Sequence, residues 1–148
     1  MRLRPWREGD DLLPLWLAAW TATMPEIDFP ARSGWFRAHL AQLVREGAKV
    51  ICAETDSELA GFVTVHPGSG HLDQIAVHPA WFGRGVATAL LDTAKADSPG
   101  RLWLDVNQSN RRAVAFYRRA GFSAVGDGIN PASGLATWRM CWRSDGPK

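Results

Sequence analysis

The 148-residue sequence predicts a mixed α/β fold with the element order β-α-α-β-β-β-α-β-α-β-β. Three observations carry that expectation. Short apolar runs separated by polar turns crowd the stretch from Lys49 to Val77, as in an antiparallel meander. A 3.6-residue apolar period resumes after the glycines at 83 and 85, with Val86, Leu90, Leu91 and Ala94 on one side. A further strand, Leu102 to Val106, follows that helix, and strand–helix–strand implies a crossover within one mixed sheet.

Each element has a local reason. Residues 1–5 alternate briefly and read as a short first strand. Asp10 and Asp11 offer caps for a helix marked by Leu12, Leu13, Leu15, Trp16, Ala19 and Trp20, and Pro14 falls in the tolerated first turn. Thr21 to Arg32 holds Pro25 and Pro30 and reads as a loop. Ser33 caps a second helix running to about Glu46, its apolar side marked by Trp35, Phe36, His39, Leu40 and Leu43. Lys49–Glu54, Gly61–His66 and Leu72–Val77 are the three strands of the meander, and a turn at Asp56–Glu58 joins the first two. Ser98-Pro99-Gly100 stops the third helix. Asn110 caps a fourth through Arg119, and Phe122–Val125 and Leu135–Trp142 close the chain as strands.

Composition narrows the function. The length is that of one domain, read as spanning 1–148. Apolar residues at 46% and charged residues at 22% are globular values and argue against disorder or coiled coil. Seventeen basic residues against fifteen acidic ones give +2, too little for an electrostatic case for nucleic acid as a partner. No apolar run is long enough for a membrane span, and the expectation is no secretory leader. Cys52 and Cys141 make neither a disulfide framework nor a zinc set, so a reducing cytoplasmic setting without a metal is expected. Eight tryptophans suit both a core and a pocket for flat or apolar groups.

The chemistry concentrates in two stretches. Val77-His-Pro-Ala-Trp-Phe-Gly83-Arg-Gly85-Val-Ala87-Thr88 runs from a strand through glycines into a helix, whose first N–H groups form a ready anion site. It lacks the lysine of a P-loop. One crossover later comes Asn110-Arg-Arg-Ala113-Val-Ala-Phe116-Tyr117-Arg-Arg-Ala-Gly121-Phe122. Together the two stretches resemble the GNAT superfamily of acetyl-coenzyme-A-dependent N-acetyltransferases, over about Leu72 to Phe122, and the order of elements outside agrees. The resemblance implies the GNAT fold, acetyl-coenzyme A as co-substrate, and direct attack by a primary amine in a ternary complex. It implies that Gly83, Arg84, Gly85, Val86, Ala87 and Thr88 hold the pyrophosphate, mainly through backbone N–H groups. Asn110 then meets the pantetheine arm, and Tyr117 stands by the thioester sulfur as proton donor. Backbone N–H groups of the strand before the turn, among Ile75, Ala76 and Val77, face the thioester carbonyl. Phe82 departs from the pattern, because the family usually has Gln or Arg there.

Acetyl transfer also needs a group to take the proton of an amine whose pKa is about 10.4. Asp73, His71 and the acidic loop around Glu26 and Asp28 are the alternatives, with solvent water as a fourth. Many family members carry a glutamate at the position of His71. Asp73, two residues on, shares its face if the strand has no bulge. Glu26 and Asp28, bracketed by Trp20 and Trp35, lie where the family builds its acceptor pocket; the acids favour a cationic acceptor and the tryptophans an apolar one. The acceptor is open between a small-molecule amine and a peptide or protein amine. Arg111, Arg112, Arg118 and Arg119 read as a solvated helix face or as an attractor for the nucleotide's 3′-phosphate. The late strands offer an edge through which a homodimer would pair. A catalytically idle coenzyme-A-binding sensor is the rival reading.

Overall fold

A computed structural model describes residues 1–145, so positions 146–148 of the expected domain lie outside the described residues. Its order is β1 (Arg2–Pro5), α1 (Leu13–Thr23), α2 (Ser33–Arg45), β2 (Lys49–Thr55), β3 (Glu58–Val65), β4 (Leu72–Val77), α3 (Val86–Asp97), β5 (Arg101–Asn107), α4 (Arg111–Arg119), β6 (Ser123–Ile129) and β7 (Ala136–Arg143), the expected mixed α/β sequence. Single 3₁₀ turns at Pro30–Arg32 and Pro79–Trp81 precede α2 and α3.

The strands form an antiparallel sheet β1-β2-β3-β4 and a second one, β5-β7-β6. The mixed character of the sheet is confined to one point. His71 and Trp103 form a parallel bridge, and the Trp103 N–H donates to the Gly70 carbonyl at 3.0 Å. Gly70 is required there on two counts: its φ is +76°, and a Cβ would collide with the Arg101 carbonyl oxygen. Beyond this pivot β4 and β5 diverge. Helices cover both faces. Leu90, Leu91 and Ala94 of α3 pack with Tyr117 of α4 against Val63, Leu72, Leu102, Leu104 and Met140. On the opposite face Leu15, Trp16, Ala19 and Phe36 of α1 and α2 pack against Cys52, Phe62 and Ala76.

Several local expectations give way to tertiary contacts. Asp10 does not cap α1; its carboxylate accepts from the buried Arg4 guanidinium at 2.8 Å and from the Arg7 N–H at 2.8 Å. Those bonds, the Arg4 one first, hold its pKa down to about 2. Asp11 instead accepts from the Leu13 N–H at 3.1 Å. Helix α1 continues through Thr23 into the expected loop, and Ser33 begins α2 rather than capping it, its hydroxyl donating to the Pro30 carbonyl. Strand β3 starts at Glu58, because Asp56 and Ser57 both take positive φ and close a two-residue hairpin. Strand β6 reaches Ile129, four residues past the expected end at Val125, held by pairing with β7.

Candidate active site in the wedge between β4 and β5

The divergence of β4 from β5 frees one edge of β4, and backbone alternation decides which groups use it. The His78 N–H donates to the Ala60 carbonyl at 2.8 Å and the Gln74 N–H to Thr64 Oγ1 at 2.9 Å. Residues 74, 76 and 78 therefore turn their N–H toward β3, and Ile75 and Val77 turn theirs toward the wedge. Of the three residues expected to face a thioester carbonyl, Ala76 is thus directed away by the pleat. Two N–H donors on an unpaired edge can hold an oxygen that gains negative charge.

At the mouth of the wedge lies the glycine turn. Gly83 and Gly85 have φ of +72° and +81°, and a Cβ on either would meet no atom within 4 Å. Glycine is needed for the backbone path, which leaves open space before the first turn of α3. Val86 buries its side chain in the core, so only its backbone is available, whereas Ala87 and Thr88 lie nearer solvent. Two guanidinium groups flank the turn: Arg84 lies over the Trp81 ring at 5.5 Å, and Arg112, from α4, over the Phe82 ring at 5.0 Å. Phe82 is therefore a platform that brings a cation from another helix to the place where the family usually has Gln or Arg. Glycine geometry, helix N–H groups and two arginines together fit a pyrophosphate.

On the β5 side, Asn110 caps α4, its Oδ1 accepting from the Ala113 N–H at 3.2 Å, which leaves the Nδ2 donor for a ligand. Tyr117 is buried in the core, its ring 5.4 and 5.5 Å from those of Phe116 and Phe122. Burial pushes its phenol pKa well up, so the hydroxyl keeps its proton at neutral pH.

The opposite face of the wedge carries a cavity of about 130 Å³ between α1, the segment before α2, β4, the end of β5 and the loop from Asn130 to Leu135. Trp20 and Trp35 line it with Trp16 and Phe29. Glu26 and Asp28 do not: both are exposed, and Asp28 is turned to the Ala31 N–H at 3.2 Å. The charged residue in the lining is Arg32, so the local charge is opposite to the expected one. Trp35 is half exposed and stacks on His39 at 4.7 Å.

His39 is the residue that sequence reasoning passed over. Its Nε2 lies 2.7 Å from Asp73 Oδ1, which also accepts from Gln74 Nε2 at 3.1 Å. The spacing signal was present but ambiguous, because His39 falls on the apolar stripe of α2. Asp73 and His71 do not share a face. Leu72 and Gln74 oppose the adjacent Val65 and Thr64, so Asp73 is the extra residue of a bulge and swings toward α2. His71 stays at the closed end, stacked 3.9 Å from Trp103. Burial pushes its pKa down, with partial opposition from Asp73 and Asp105.

A strand-to-helix glycine turn, a splayed β4 edge and a facing cavity define the architecture of an acyl-coenzyme-A-dependent transferase, and comparison gives the family. The acetyltransferase (GNAT) family pattern matches residues 10–122. The chain is 32% identical over 123 residues to the peptidyl-lysine N-acetyltransferase YjaB of Salmonella typhimurium, covering 80% of this chain and 79% of that one. It is 32% identical over 135 residues to the peptidyl-lysine N-acetyltransferase YiaC of Escherichia coli, covering 88% of each. The solution structure of apo YjaB from Escherichia coli superposes with a TM-score of 0.71 at 25% identity, over 95% of this chain and 96% of that one. The chain belongs to the GNAT acetyltransferase family and is an acyltransferase.

Proposed function

We propose that this enzyme, a single domain, moves acetyl from acetyl-coenzyme A to a primary amine by direct attack within a ternary complex. The observation that carries the reading is the meeting, at one wedge, of the glycine turn, the unpaired β4 edge and the facing cavity. When bound, acetyl-coenzyme A supplies the activated acetyl thioester. The N–H groups from Gly83 to Thr88, with Arg84 and Arg112, hold the pyrophosphate, and Asn110 Nδ2 donates to the pantetheine arm. The N–H groups of Ile75 and Val77 hold the charge that develops on the acetyl oxygen. Asp73, oriented by His39 and Gln74, takes the amine proton. As the carbon–nitrogen bond forms and the carbon–sulfur bond breaks, the Tyr117 hydroxyl gives its proton to the sulfur.

The acceptor presents a primary amine to the cavity; the peptidyl-lysine specificity of the relatives supports a lysine side chain, and small amines are the other class. Free cysteines at Cys52 and Cys141 suit a reducing cytoplasm. The test has two stages. Acetyl-coenzyme A at about a hundred times its Kd stabilises by about 2.7 kcal/mol, a rise of roughly 5–10 °C in Tm, with acetate plus adenosine as control. Thiol release with a panel of amines and lysine peptides then separates a transferase from an idle binding module. No rise in Tm, or binding without thiol release from any acceptor, overturns the reading.

A further inference from the structure

The cavity facing the wedge carries more chemical information than its position. Trp16 belongs to the cavity lining through its ring, while its Nε1 is sealed from solvent. Arg32 lines the same cavity with its guanidinium over the Phe29 ring at 5.5 Å, and no carboxylate lies within ion-pair distance of it among the described residues. No Asp or Glu contributes to the lining. The volume, about 130 Å³, is slightly below that of the engineered apolar cavity of roughly 150 Å³ that takes up benzene. Trp20, Trp35 and Phe29 wall it with flat apolar surface.

From this we infer that the acceptor is a small amino acid, a primary amine carrying a carboxylate and one apolar group of about ring size. The carboxylate pairs with Arg32, and the apolar group lies against the aromatic walls. The lining offers no anion to a second cationic group, and the volume takes a side chain rather than a folded peptide segment. Arg32 also disfavours the protonated form of the nearby amine, which assists its attack. The inference rests on the proposed transferase site, but binding can be read without turnover because Trp16, Trp20 and Trp35 report on the cavity by fluorescence.

The experiment titrates L-phenylalanine and L-leucine against their decarboxylated counterparts, 2-phenylethylamine and 3-methylbutylamine, and against a lysine-containing peptide. The amino acids are expected to bind at least tenfold tighter than the matched amines. Arg32→Gln should bring that ratio close to one. A thermal melt of the variant checks folding. Equal or tighter binding of the decarboxylated amines or of the peptide, an unchanged ratio in Arg32→Gln, or no binding by any amino acid overturns the inference. If the amino acids bind as expected but no acceptor, the lysine-containing peptide included, releases thiol from acetyl-coenzyme A, the transferase reading fails and the cavity stands as an amino-acid site.

Discussion

Removing the Phe82 ring tests how this chain holds a pyrophosphate without the usual Gln or Arg. The Arg112 guanidinium lies 5.0 Å from the ring centroid, inside the roughly 6 Å reach of a cation–π contact. At an exposed site such a contact is worth about 0.5–1 kcal/mol, so Phe82→Ala should weaken coenzyme A binding about two- to fivefold. Arg112→Ala removes the charge itself. A cation close to two phosphates at a partly exposed surface contributes about 1–2 kcal/mol, so affinity should fall roughly five- to thirtyfold. Screening gives the second dimension. The Debye length shortens from about 10 Å at 0.1 M salt to about 3 Å at 1 M, so the Arg112→Ala defect should shrink with added salt. Titration calorimetry of coenzyme A at low and high salt measures both effects, with pantetheine, which lacks the nucleotide and pyrophosphate, as control. Introducing Phe82→Arg into the Arg112→Ala background should restore most of the affinity, because a guanidinium returns to the same place. An unchanged Kd in Arg112→Ala at low salt, or an equal loss for pantetheine, would refute the assignment of Arg112 to the phosphates.

Other perturbations address separate links. Tyr117→Phe should lower kcat about a hundredfold or more with little change in coenzyme A affinity; steady-state kinetics with full turnover would remove Tyr117 from the acid role. Gly85→Glu forces a side chain into a left-handed conformation and puts a negative charge in the cradle, so calorimetry should detect no coenzyme A binding, and unchanged affinity would place the cofactor elsewhere. Asp10 has a lowered pKa, about 2 when folded against 3.8, so its stabilisation is present above about pH 4 and is lost as pH falls through 2. After allowance for screening near the surface this is about 1 kcal/mol. The Tm gap between the native chain and Asp10→Asn should therefore close between about pH 4 and pH 2; a gap independent of pH would show that the Arg4 pair contributes nothing through its charge.

Sequence periodicity captured the elements because most of them are fixed by local signals. Turn glycines, strand alternation and the Asn110 cap all act within a few residues. What it missed depends on long-range partners. Asp10 reads as a helix cap by local signals, but the pairing of β1 with β2 brings Arg4 beside Glu54, fifty residues further on, and Arg4 binds Asp10 as well. The bulge at Asp73 is invisible in the sequence because it arises from pairing of β4 with β3, yet it decides that Asp73 meets His39 and not His71. The family resemblance puts Glu26 and Asp28 at the acceptor pocket through their place in the loop. Their side chains nonetheless lie outside the cavity, and the 3₁₀ turn at Pro30–Arg32 brings Arg32 to its wall instead. Phe82 looked like a loss by residue type alone, since the cation it holds comes from a helix beyond the next strand.

The wedge itself is a thermodynamic compromise, and that gives it a measurable signature. Each of β4 and β5 has a full antiparallel ladder on one side, with β3 and β7 respectively, so the two separate at the cost of the bonds between them only. Gly70 permits one close approach, and past it the N–H groups of Ile75 and Val77 have no strand partner. Amide exchange in the free enzyme should therefore alternate along β4, slow at Gln74 and Ala76 and faster at Ile75 and Val77, although all four lie on one strand. Bound acetyl-coenzyme A should slow exchange at Ile75 and Val77 selectively, because an oxygen held by those N–H groups takes the place of the absent strand. Equal protection at all four amides in the free enzyme would mean that β5 does pair along β4. Protection gained uniformly on binding would mean a general stiffening rather than a ligand seated on the free edge.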